Sequence, residues 1–238
     1  MLSTPKHEME AEKSLSRFRL VLASLAGIGM LAALLFLPAG RLDWVAGWLY
    51  LVIITINMAI NYGCLRHWNP DLIRHRMRIG KGTKTWDLTW MILFTPVFLA
   101  IYVVGGLDAG RFQWSDSPLW LWPIGLTLFS AGTAVLTWSM VVNPFFEKTV
   151  RIQTERHHRV IDAGPYRHVR HPGYLGFLCW ILATPLLLGS WWAFVPSFIA
   201  VVALMVRTGL EDRTLLDELP GYVDYASGVR PKLIPGVW

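Results

Sequence analysis

Six apolar runs, 16 to 25 residues long, recur along the 238-residue chain and leave it few folds to choose from. They cover residues 20–37, 44–62, 88–104, 118–142, 173–188 and 191–206. A helix rises about 1.5 Å per residue, so runs of this length match the roughly 30 Å of a bilayer's hydrocarbon core. Composition agrees, since 54% of residues are apolar, 16% are charged and there are 13 tryptophans. Soluble domains carry about 25% charge. The expected fold is all-α and polytopic, with about six transmembrane helices, the last two forming a hairpin across Gly189-Ser190.

Charge orders these spans. The N-terminal segment, residues 63–87, residues 143–172 and the tail after Val206 are rich in Lys and Arg; residues 39–43, 105–117 and 189–190 are not. This alternation puts both termini and the basic loops in the cytoplasm, because positive segments stay on that side. The formal net charge of +6 is explained the same way, and no nucleic-acid motif accompanies it. The first run is expected to be a retained helix, since it is too long for a signal-peptide core and a second span follows at once. Cys64 and Cys179 lie in or beside apolar runs without CxxC spacing, so no disulfide framework is indicated.

Within the spans, Asn57 and Asn61 share a helical face and are expected to hydrogen-bond to a neighbouring helix. Pro96 should kink the third span. Gly125, Ala131 and Gly132 allow close approach of a partner helix. Asn69-Pro70-Asp71 predicts a short surface helix at about 71–79.

The most unusual stretch is residues 151–176, RIQTERHHRVIDAGPYRHVRHPGYLG, where nine of 26 positions are Arg or His. Arginines alone would anchor topology; the added His, Pro and Tyr imply a binding role. Arg167, Arg170 and His171 gather just before a helix that starts after Pro172, whose N-terminus suits a carboxylate or phosphate. Glu211 and Asp212 emerge on the same side after the last span, followed by Leu215, Leu216 and Leu219 on an apolar face ended by Pro220-Gly221. Cationic and anionic clusters at one mouth of a hairpin could clamp a zwitterionic ligand. His168 and His171 lack a well-spaced third ligand, so no metal is expected.

The run GPYRHVRHPGYLG, with Gln153 and His158 before it and Glu211, Tyr222, Tyr225 and VRPKLIPGVW after it, resembles the isoprenylcysteine carboxyl methyltransferase family. Phospholipid N-methyltransferases share the Arg-His-Pro and acidic pattern. The resemblance covers residues 118–238, giving a core after a separate unit of residues 1–117 that holds the N-terminal segment and three spans. It implies S-adenosylmethionine in a cytosol-facing pocket and a lipophilic acceptor arriving from the membrane lipids. The implied cofactor contacts are Gln153, His158, Val160, Gly164, Tyr166, His171, Pro172, Tyr174, Glu211 and Asp212. Arg170 and Glu211 are the implied catalytic pair, with Arg170, Tyr222, Tyr225 and Arg230 toward the acceptor. The family often has two glutamates where this chain has Glu211-Asp212. Carboxyl O-methylation is the first expectation; amine N-methylation and an NADPH-dependent sterol-type reductase, with Arg156, Arg159 and Arg167 on the 2′-phosphate, stay open. A transporter is disfavoured because the span centres carry almost no charge.

Overall fold

A computed structural model describes residues 6–77 and 79–238, with side chains from Val21 onward apart from Arg78. Among the described residues all regular structure is helical. Helix α1 spans Lys6–Ala39, α2 Val45–Trp68, α3 Pro70–Arg76, α4 Thr85–Gly105, α5 Leu121–Val142, α6 Pro172–Leu188, α7 Phe194–Glu218 and α8 Tyr222–Gly228. Among the described residues, five segments are long and apolar enough to cross a membrane: Val21–Ala39, Val45–Trp68, Thr85–Phe112, α5 and α7. Helix α6 is apolar but has only 17 residues, about 26 Å of rise. It is capped by Gly189 in the left-handed region at φ +70° and hands over to α7 within five residues, making the expected hairpin.

Several boundaries differ from the sequence reading. Helix α1 starts before the apolar run, and α7 continues well past Val206 into charged sequence, carrying Arg207, Glu211 and Asp212 on one rigid element. The surface helix α3 ends at Arg76 rather than 79, and Arg78 lies outside the described residues. Proline at its first position and Asp71 in its first turn favour its start. Residues 105–117, expected to be a loop, instead continue α4 through a π-helical turn, Gly106–Phe112. The reason is a buried anchor. Asp108 accepts hydrogen bonds from Ser115 Oγ (2.6 Å), Ser190 Oγ (2.5 Å) and the Trp192 N–H (3.3 Å), tying the turn to the hairpin connection.

Helices α5 and α6 make the most extensive pairing in the molecule. A Cβ on Gly176 would strike the carbonyl oxygen of Gly132, and one on Gly132 would sit 2.7 Å from that of Gly176. Backbone packs directly on backbone there, as small residues permit in lipid. Gly125 meets Leu186 and Leu187 in the same seam. Asn61 donates to Thr137 Oγ1 (2.8 Å) on α5 as expected, whereas Asn57 bonds back to Ile53 within α2. The core is completed by Tyr50, whose hydroxyl meets Thr184 Oγ1 (3.1 Å) and the Trp180 indole N–H (3.2 Å). Large apolar side chains such as Ile92, Leu93, Phe198 and Ile199 stay on the outside, where a bilayer would solvate them.

Candidate functional site

The charged extension of α7 crosses the start of α6, and this crossing builds the site. Two backbone bonds tie the C-terminal segment to the same start of α6: the Arg170 N–H donates to Pro231 O (3.0 Å) and the His171 N–H to Lys232 O (2.9 Å). The C-terminal segment is itself closed by bonds from the Lys232 and Leu233 N–H groups to Trp238 O, each 3.0 Å. The start of α6 therefore offers fewer free amides than its sequence suggested. Pro172 has no N–H, the two preceding amides are taken, and the Tyr174 N–H bonds His171 O.

Asp212 is the hub of the crossing. Fully buried, it lies 3.1 Å from His171 Nε2 and 3.3 Å from Arg170 Nη1, and accepts from the Tyr222 hydroxyl at 3.0 Å; Lys232 Nζ is 3.6 Å from its other oxygen. Its neighbour Glu211 turns the other way and accepts a short hydrogen bond from the Tyr174 hydroxyl. Adjacent acids on one helix thus divide their work, one inside the protein and one in a cavity wall. The shorter side chain at 212 suits the closely packed position.

That cavity has a volume of about 940 Å³ and two chemically distinct ends. Its polar end is walled by Gln153, His158, Val160, Tyr166, Arg170, His171, Tyr174, Glu211, Tyr222 and Tyr225, so ten of the sequence-derived candidates share one space. Its apolar end runs between α1, α2 and α4 past Leu25, Ile28, Met58, Met91 and Phe94. Four candidates do not reach the wall. Gly164, at φ +58°, packs on Trp138 and Val142; Pro172 is the buried first residue of α6; Asp212 is spent on its four partners; Arg230 is exposed and offers only its carbonyl, to Arg170 Nη2 at 3.4 Å. These four shape the site from behind.

The polar wall is largely preorganised. Gln153 is buried, donates to Phe145 O (2.8 Å) and accepts from Arg156 Nη1 (2.7 Å). His158 Nδ1 accepts from the Gln153 N–H at 3.3 Å, and the ring lies 4.5 Å from that of Phe145. Burial, then the nearby Arg151 charge, pushes its pKa down to about 4. The ring is therefore neutral at pH 7, and with Nδ1 accepting, its proton sits on Nε2 as a donor. Burial also raises Tyr166 and Tyr225 above the usual tyrosine range, so both keep their hydroxyl protons; Tyr166 Oη accepts from Asn143 Nδ2 (3.0 Å) and the Tyr225 hydroxyl donates to Tyr166 O (2.7 Å). Arg170 retains one buried donor, Nε, without a partner among the described residues. An unmet guanidinium N–H beside a cavity is costly unless something fills it.

Two residues that the sequence reading treated as ordinary carry much of the wall. Arg207 bonds the fully buried Asp87 (Nε–Oδ1 2.7 Å) and Lys148 O (2.7 Å), and its guanidinium lies over the rings of Trp90 (4.7 Å) and Tyr174 (5.3 Å). Asp87 also accepts from the Val150 N–H at 2.7 Å. An ionisable residue at the end of each of two apolar runs, both on the basic side, was the available signal.

Fold and cavity define a polytopic helical membrane protein with an internal cavity lined by both polar and apolar side chains. The family resemblance read from the second half of the chain is upheld: residues 124–217 match the isoprenylcysteine carboxyl methyltransferase (ICMT) family. Protein-S-isoprenylcysteine O-methyltransferase B of Arabidopsis thaliana is 29% identical over 125 residues, 50% of this chain and 61% of that protein. A probable protein-S-isoprenylcysteine O-methyltransferase of Oryza sativa subsp. indica is 36% identical over 66 residues, 27% of this chain and 35% of that protein. The matches thus span about three fifths or less of these relatives. In three dimensions the chain resembles a eukaryotic intramembrane Ras methyltransferase, an isoprenylcysteine carboxyl methyltransferase, with TM-score 0.54 and 17% identity over 89% of this chain and 75% of that one. At that identity the likeness speaks for the fold.

Proposed function

We propose that the protein is a membrane methyltransferase that uses S-adenosylmethionine to O-methylate the carboxylate of a lipophilic acceptor of the isoprenylcysteine type. The observation that carries this reading is the single cavity with a hydrogen-bonding end and an apolar end. A donor bearing a carboxylate, an ammonium, a ribose and a purine needs the first; a prenyl chain needs the second.

The residues present fit the donor. Glu211 suits an ammonium or ribose hydroxyl, and the His158 Nε2–H a ring nitrogen or carbonyl-like acceptor; the unmet Arg170 Nε is left for the acceptor. Tyr166, Tyr174, Tyr222 and Tyr225 offer ring faces for a cationic sulfonium. When bound, the donor supplies an electrophilic methyl group; the chain's part is to hold it in line with the acceptor and keep water out. We assign Arg170 to orient the acceptor carboxylate near the donor, with Asp212 fixing its guanidinium through Nη1. A carboxylate is ionised at pH 7 and needs no general base. His158 in the cavity wall is correspondingly a poor one, its pKa lying at about 4. An amine acceptor would need deprotonation, and the arginines around the cavity would repel its cationic form.

The NADPH reading keeps only one of its three arginines at the cavity: Arg159 lines it, whereas Arg156 is engaged with Gln153 and the Phe145 ring and Arg167 is exposed off the wall. We assign the polar end to residues 118–238 and the lipid-side end mainly to the first three spans. The charge alternation supports a cytosolic position for the polar end and both termini. The test is incubation of purified protein with methyl-labelled S-adenosylmethionine and either an S-farnesylated cysteine acid or phosphatidylethanolamine. A base-labile methyl ester on the acid is expected; label confined to the phospholipid amine would overturn the reading.

A further inference from the structure

Cations around the cavity differ in how they are balanced. Arg151 pairs with Glu147 (2.8 Å) and Glu155 (2.7 Å), Arg207 with Asp87 and Arg170 with Asp212. Arg76, Lys148 and the exposed Arg159 also line the cavity, yet none of the three has a carboxylate partner among the described residues; Arg76 is the one of them held in place by the protein. Arg76 is held by a bond from Nη1 to Phe146 O (3.1 Å) and by the Phe146 ring, 5.4 Å from its guanidinium carbon. A carbonyl and a ring face orient the group without cancelling its charge. Burial pushes the Arg76 pKa down to about 10, which still leaves it protonated at pH 7, and burial together with the Arg76 charge lowers Lys148.

Their position in the cavity gives the charge a purpose. Arg76 shares the cavity wall with Tyr174 and Arg207. Tyr174 bonds Glu211 at the polar end, while Arg207 covers Trp90, which stacks on Phe94 (4.2 Å) at the apolar end. Arg76 therefore stands where the two ends join. A long apolar ligand lying in the apolar end would bring its terminal polar group to this point.

We propose that Arg76 and Lys148 form an anion subsite that takes the acceptor's carboxylate as it reaches the junction and selects acids over neutral analogues. The inference rests on the methyl-transfer reading for the identity of its ligand. Arg76 lies on α3, outside the matched residues 124–217. In this role it is a specificity residue that meets the acid at the junction; Arg170 orients the same carboxylate for transfer beside the donor.

The test compares binding, without turnover, of an S-farnesylated N-acetylcysteine as the free acid and as its carboxamide, in the presence of S-adenosylhomocysteine. A charge-assisted, bidentate contact is expected to favour the acid by roughly 10- to 100-fold in the wild type. Arg76→Gln should reduce that preference to within about threefold while leaving carboxamide and S-adenosylhomocysteine affinities unchanged; Lys148→Gln, at a solvent-facing position, should reduce it partly. An unchanged preference in Arg76→Gln, an equal loss of acid and carboxamide, or no preference in the wild type overturns the proposal. An acid preference that depends on Arg76 in a protein that never transfers methyl to the acid would sink the methyl-transfer reading and leave the subsite standing.

Discussion

Asp87→Ala is expected to be the most destabilising single substitution in the molecule, costing about 3–5 kcal/mol, the usual range for breaking a buried ion pair. The Asp87 carboxylate has no solvent exposure and meets both the Arg207 guanidinium and the Val150 N–H. Removing it leaves a buried guanidinium and a buried amide without their acceptor, and neither can rehydrate in place. The damage is not local, because Asp87 starts α4, Arg207 lies on α7 and Val150 precedes the polar wall. Thermal unfolding in detergent should show a fall of roughly 6–20 °C. Asp87→Leu combined with Arg207→Met should recover much of it, since a well-packed apolar pair can replace a buried ionic one. Lys84→Ala is the contrast. Lys84 sits only 2.5 Å from Glu218, but both side chains are partly exposed, so the expected loss is about 0–1 kcal/mol. An Asp87→Ala protein as stable as Lys84→Ala would show that the three elements are joined by something else.

Asp212→Ala should have the larger effect on function. Asp212 does not face the cavity, but His171, Arg170, Tyr222 and Lys232 all converge on its two oxygens. Without it three cationic or hydrogen-bonding walls lose the partner that sets their geometry, and Arg170 keeps a buried charge uncompensated. We expect S-adenosylmethionine affinity to fall by roughly 100-fold or more, in line with the 2–5 kcal/mol lost when one partner of a buried charged pair is truncated. Asp212→Asn keeps the shape and one acceptor oxygen, and should restore part of the affinity. Equal affinity in wild type and Asp212→Ala would mean that the hub positions nothing that the donor touches.

Much of this was legible in the sequence, for physical reasons that differ by element. The spans announce themselves because a bilayer demands long apolar runs, and Gly125 and Gly132 because close helix packing demands small residues. The meeting of Arg170, His171 and Tyr174 with Glu211 follows from a hairpin whose two ends must emerge on one side. What stayed hidden is long-range pairing. Asp87 and Arg207 are 120 residues apart, and no local period reports which anion at one helix end will find which cation at another. Arg76 read as one more cation in a basic loop, because its distinguishing property is the missing counter-ion, visible only in three dimensions. Residues 105–117 read as a loop because glycines and Asp108 look like turn chemistry; buried partners on the hairpin reverse that preference. The role of Asp212 was hidden by its neighbour, since two adjacent acids on a helix carry no mark of which one faces inward.

Isothermal titration of S-adenosylmethionine into the purified full chain in detergent, beside the Glu211→Gln variant, bears most directly on the polar end of the cavity. Saturable one-to-one binding is expected, weakened about tenfold or more by a change that removes the carboxylate's charge and keeps its size. Heat changes no different from buffer for the unmodified chain, or identical isotherms for both proteins, would contradict it.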